Sequence, residues 1–208
     1  NAYSVSSKEN DAFILINQLL KEKQEVYKTK DAFFIVKNDK TSNIVNTVVK
    51  EEGIQVNEVS SIDNTAKKIS ALRIGLWDKY GGSMPSGWIR WILEKKQFDF
   101  SLIYAQEIDK GNLNDKYDVI VFVGGAIPNI AGESGNGWDE KDPEAADIPA
   151  KYHHTLGKIT SDKSIPALKS FLEKGGSIVT IGSSANLAYH LQLPVKSYLV
   201  EMNNCKER

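Results

Sequence analysis

The chain has little of what covalent and metal frameworks are made from: its 208 residues include one cysteine, Cys205, and three histidines, His153, His154 and His190. A lone cysteine excludes both an intrachain disulfide framework and a cysteine-based zinc finger. Long apolar runs are missing too; stretches such as 119–123 fall far short of the roughly 20 residues a spanning helix needs, so no membrane span is expected. Neither charge dominates, with 26 Lys and Arg against 27 Asp and Glu and a net charge of −1. No global field therefore draws in nucleic acid or anionic lipid, and no nucleic-acid partner is expected. What remains, 41% hydrophobic and 25% charged residues, is the composition of a folded protein long enough for one large domain or two small ones. Opening on Asn1-Ala2 without a Met or an apolar leader, and closing on a polar tail, the sequence reads as a piece of a longer polypeptide.

Ser6 with Glu9 three residues on suggests a capping box, and Ala12, Phe13, Ile16, Leu19 and Leu20 recur at helical spacing, which predicts a helix over 8–23. Residues 24–29 and 32–37 read as a hairpin. A second helix from Thr41 or Ser42 stops at Gly53, the expected left-handed cap, and 54–59 closes the segment as a strand. Residues 1–66 thus form a small α/β domain, with polar 60–70 as linker.

From 70 to 208 strands and helices alternate, the pattern of a parallel sheet. Strands are expected at 72–77, 100–104, 118–123 and 177–181, the last two as runs buried in a parallel sheet. Helices are expected from Pro85 to Lys96, with Trp88, Ile89, Ile92 and Leu93 turned inward, and over 165–174 and up to about Leu191. Residues 126–164 form a long Gly-, Pro- and acid-rich loop with at most a short helix at 150–156. Loops of that length usually carry function, and this one leaves the carboxyl end of a strand, where open α/β sheets place ligands.

Three strand ends meet on that edge, and they supply the ligand-edge candidates Asp78, Gly81, Gly82, Ser83, Gly124, Gly125, Ser183 and Ser184. The stretch 81–87 lacks the Gly-Lys-Ser/Thr ending of a phosphate loop and the dinucleotide spacing, so the plain reading of its glycines is loop geometry. Gly182-Ser183-Ser184-Ala185-Asn186 follows a strand and precedes a helix in the layout of a nucleophile elbow, with Asn186 in place of the second glycine. Ser184 is then the weak nucleophile candidate; the plain alternative is that Ser183 or Ser184 caps the helix. His190, six residues on, lies about 240° around the helix from Ser184. His153 and His154 are the remaining weak catalytic candidates and lack further zinc ligands at suitable spacing, so no metal site is expected. Glu133, Asp139, Glu140, Asp142, Glu144 and Asp147 against Lys141 alone give −5 locally, which leaves +4 for the rest of the −1 chain. Their spacing is not that of a Ca²⁺ loop. Trp88 and Trp91, at i and i+3, read as core or interface.

The run Leu72-Arg73-Ile74-Gly75-Leu76-Trp77-Asp78-Lys79-Tyr80-Gly81-Gly82-Ser83-Met84-Pro85-Ser86-Gly87-Trp88, together with 178–188, resembles the C-terminal region of large bacterial zinc-carboxypeptidase-like proteins. That region is similar to class I glutamine amidotransferases, so the resemblance implies a flavodoxin-like three-layer α/β/α fold over 70–208, truncated at its C-terminus, behind a small N-terminal α/β segment. By the same resemblance Gly124-Gly125 matches the oxyanion-hole turn, while Ser184 stands where those enzymes carry a catalytic cysteine. Their His and Glu partners have no counterpart here, and none of the three histidines has Glu three residues on, as the peptidase zinc motif requires. The implied function is a noncatalytic accessory or interaction domain of a zinc carboxypeptidase. Its partner is the peptidase domain of the same polypeptide, zinc belongs only to that absent domain, the location is periplasmic or secreted, and a homo-oligomer stays open. Two alternatives stand beside it: a serine hydrolase using Ser184 with His153 or His154 as base, and a small-molecule or peptide binder at 77–88.

Overall fold

The computed structural model describes residues 1–129 and 143–195 and the backbone at 202–203 and 206–207. The chain is mixed α/β, with a five-stranded antiparallel sheet and a four-stranded parallel sheet as its main layers. It divides into two compact units, Asn1–Leu72 with Trp91–Asp99, and Arg73–Arg90 with Phe100–Arg208.

The first unit is a five-stranded antiparallel sheet in the order β4-β1-β3-β2-β5. Its elements are β1 (Ala2–Ser6), α1 (Ala12–Lys21), β2 (Val26–Lys28), β3 (Ala32–Val36), α2 (Asp39–Glu52), β4 (Val56–Val59) and β5 (Lys67–Ile69). The hairpin expected at 24–37 forms, with Val26 opposite Ile35. Strand β1 was not evident in the sequence, because the Ser6 and Glu9 pattern pointed to a helix start. Instead Ser6 Oγ accepts from the Lys8 amide at 3.2 Å and Glu9 Oε2 from the Gln55 amide at 3.4 Å. With both side chains engaged elsewhere, α1 starts only at Ala12, after Asp11, without a side-chain cap. The capping box belongs to α2: Asn38 Oδ1 accepts from the Thr41 amide and Thr41 Oγ1 from the Asn38 amide, each at 2.9 Å. Gly53 ends α2 at φ 69°, the left-handed conformation that glycine adopts without a Cβ clash. The expected linker is in part a strand, since β5 pairs with β2. Leu15, Leu19, Val26, Phe33 and Ile35 are among the core residues of this unit.

The second unit holds β6 (Ile74–Trp77), β7 (Phe100–Ile103), α4 (Ala105–Asp109), β8 (Val119–Phe122), α5 (Ser164–Glu173), β9 (Ser177–Thr180) and α6 (Leu187–His190). Helix α3 (Met84–Lys95) starts in this unit and ends in the first. The four strands are parallel in the order β7-β6-β8-β9. Ile103, Ile108, Ile120, Phe122, Leu168 and Phe171 are fully buried.

Two burial expectations fail. Trp88 is 63% and Ile92 46% exposed, so two of the four apolar residues of α3 expected to turn inward face solvent, while Ile89 and Leu93 are half-buried and only Ser86 of the helix is fully buried. Strand β9 is not buried on both faces: at the edge of the sheet among the described residues, it leaves Val179 46% exposed, and Ile181 just beyond its end is 39% exposed. A continuous apolar run reads the same in the middle of a parallel sheet and at its rim. In the described part of 126–164 the helix expected near 150–156 is a 3-10 turn, Ala150–Thr155. Glu133, Trp138, Asp139, Glu140, Asp142 and Cys205 lie outside the described residues. Two short strands, β10 (Met202–Asn203) and β11 (Lys206–Glu207), pair antiparallel.

Candidate functional site

The carboxyl ends of β6, β7, β8 and β9 supply the candidate site. After β9 the chain turns through a 3-10 segment, Gly182–Asn186, into α6, as the elbow layout suggested. Ser184 is fully buried; its hydroxyl donates to the Val123 carbonyl and accepts from the Ile127 amide at 3.3 Å. Ser183 Oγ accepts from the Gly125 amide at 2.9 Å. The two serines therefore fasten the β9 turn to the turn after β8, and the helix-cap alternative fails as well, because neither serine caps the helix that follows. Gly124-Gly125 lies against this turn, and the Gly125 N–H is already spent on a serine hydroxyl.

The histidines are equally engaged. His153 Nε2 bonds the Ile148 carbonyl at 3.0 Å and His190 Nε2 bonds the Pro128 carbonyl at 2.8 Å. A carbonyl only accepts, so each of these nitrogens carries its proton and is no base towards a hydroxyl. His154 packs edge-on against Tyr104, ring centroids 5.6 Å apart. Gln106 Nε2 holds the 3-10 turn through the His153 carbonyl at 2.7 Å and the Leu156 carbonyl at 3.1 Å.

At the end of β6 the Asp78 amide donates to the Ile103 carbonyl at 3.1 Å, and Asp78 Oδ1 accepts from the Lys79 amide at 2.9 Å. Gly81 and Gly82 both take φ +77°, which tightens the loop into α3. Ser83 Oγ accepts from the Ser86 amide at 3.2 Å, while the buried Ser86 hydroxyl has no partner among the described residues.

Sequence reasoning missed the aromatic side chains on this edge. Tyr80 and Tyr152 meet edge to face at 6.5 Å. Tyr104, at the end of β7, joins His154 and has its phenol pKa raised, first by burial and then by the nearby Asp78 carboxylate, with Arg90 opposing. The strand-end rule that selected Asp78 also covers Tyr80 and Tyr104. Tyr152 carries no such signal, because only the fold of the loop brings it there.

Among the described residues no group of three or more His, Cys, Asp or Glu could hold a metal ion, and no helix is long and apolar enough to cross a membrane. Compared with protein-family models, curated proteins and solved structures, this chain matches none.

Proposed function

We propose that this chain is a noncatalytic accessory module whose second unit has a flavodoxin-like, amidotransferase-like fold. On the likeness of 72–88 and 178–188, it serves a zinc-carboxypeptidase-like peptidase domain of the same periplasmic or secreted polypeptide, and zinc belongs to that domain. The observation that carries the reading is the bonding of Ser184: its one proton and its exposure are both spent inside the fold. A serine nucleophile needs a base within hydrogen-bond reach, and the Ser184 hydroxyl is bonded instead to two backbone groups.

The docking surface follows from the same run that carries the likeness. Met84 and Trp88 lie within 72–88 and are 79% and 63% exposed. Large apolar side chains gathered in one short helical segment are the usual mark of a protein contact. Hydrogen exchange tests this. In the full encoded polypeptide the amides of α3 should exchange more slowly than in the 208-residue chain. Equal exchange, or an encoded polypeptide without a His-x-x-Glu pair and a distant His, contradicts the reading.

A second reading, binding of a small molecule at the strand ends, is favoured by two aromatic pairs on that edge, Tyr80 with Tyr152 and Tyr104 with His154, with Asp78 near Tyr104. A thermal-shift panel of amino acids and short peptides tests it, with loss of the shift in Tyr104→Ala as the expected signature.

A further inference from the structure

We propose that the first unit binds a fatty carboxylate in the groove between α1, β5 and residues 97–99. The groove encloses about 410 Å³, within the range of small-ligand pockets. Phe13, Leu20, Phe33, Ile69, Leu72 and Phe98 form its apolar walls. Phe13 is the hinge of the aromatic side, with its ring 5.5 Å from Phe33 and 6.0 Å from Phe98.

The charges at the lining favour an anion. Lys21, Lys28 and Lys68 stand against a single carboxylate, Asp99. Lys21 pairs with Asp99 at 3.0 Å and Lys68 with Glu25. Lys28 has no carboxylate partner among the described residues: its ammonium donates to the Thr29 carbonyl at 2.9 Å and lies 5.5 Å from the centroid of the Phe33 ring. Two of its three N–H bonds are thus left for a ligand, at the point where the positive lining meets the apolar wall.

The apolar walls suit an alkyl chain. Of the two amide side chains of the lining, Asn17 and Gln97, Asn17 has turned its Nδ2 to the Lys96 carbonyl at 2.7 Å. An alkyl tail laid along these walls has no N–H or C=O group to leave unpaired and desolvated. The ligand that fits is therefore one anionic head on an apolar tail, with the carboxylate at Lys28 and the tail along Phe33, Phe13 and Leu72. This site is separate from the strand-end edge, so its success or failure leaves the accessory-module reading standing.

Calorimetric titration of the full chain with dodecanoate, below its micelle-forming concentration, tests the site. Saturable one-to-one binding is expected, with dodecanol and dodecylammonium each weaker by about tenfold or more. Lys28→Gln should weaken dodecanoate by about tenfold while leaving dodecanol unchanged. Leu72→Asp, at a residue already 51% exposed and so no threat to folding, should weaken both amphiphiles. Absence of binding up to about 1 mM, equal affinity for acid and alcohol, or undiminished dodecanoate affinity in either variant overturns the proposal.

Discussion

The Gly125 amide donates to Ser183 Oγ at 2.9 Å, so the turn after β8 and the turn after β9 are stitched by a side chain where an elbow enzyme would keep a free oxyanion-binding N–H. The neighbouring Ser184 completes the stitch from the buried side. These two serines decide how the strand-end edge is understood.

Removing the buried hydroxyl should therefore cost stability. Ser184→Ala leaves the Ile127 amide and the Val123 carbonyl without this partner, at a cost of about 1–3 kcal/mol. Ser183→Ala, on the exposed side of the same turn, should cost less than about 1 kcal/mol because water can replace the hydroxyl. Urea unfolding of the two variants checks the order, and a larger loss for Ser183→Ala would reverse it.

The α2 cap gives an independent check on the first unit. Asn38→Ala removes the acceptor for the Thr41 amide and should cost about 1 kcal/mol. Ser6→Ala, at the serine that the sequence pattern put in a capping box, should cost much less, since its hydroxyl accepts only from Lys8 in an exposed turn. Thermal unfolding distinguishes the two.

That contrast shows what was legible beforehand. The hairpin at 24–37, the Gly53 stop and the alternation that gives β6 to β9 follow from short-range patterns that the fold does not override. Strand β1 and the exposure of Trp88 and Val179 do not, because they depend on which strands lie beside a segment and what covers it. At the site, the positions of Gly125 and Ser184 were readable from strand-turn-helix layout. The partners of Ser184 were not, since Val123 and Ile127 lie about 60 residues away in sequence, and only packing brings them to it.

Gly176 is set by space. A Cβ there would come within 2.5 Å of Cε1 and Cε2 of Phe171, a ring that is 1% exposed and cannot swing away. Gly176→Ala should destabilise the chain by about 1–3 kcal/mol, as overpacking does. Denaturant unfolding checks it, and the double variant with Phe171→Leu should recover part of the loss.

Alkaline pH should weaken the second unit through Tyr117. Its phenol pKa is pushed up to about 12 by burial and by Glu107, whose Oε1 accepts from the hydroxyl at 3.2 Å and also pairs with Lys116 at 2.8 Å. In the folded state the phenol keeps its proton above pH 10, where the unfolded chain has lost it. This contribution is therefore complete below about pH 10 and is lost as pH rises towards about 12. The fall in stability across that window should be shallower in Tyr117→Phe than in the native chain; identical slopes would contradict the assignment.

The central claim is that Ser184 holds the fold together and performs no chemistry. Its most direct test is intact and peptide mass spectrometry after exposure of the full chain to excess fluorophosphonate, which phosphonylates activated serines. The account expects no adduct on Ser184 in the folded protein; a stoichiometric adduct on Ser184, absent from Ser184→Ala, would contradict it.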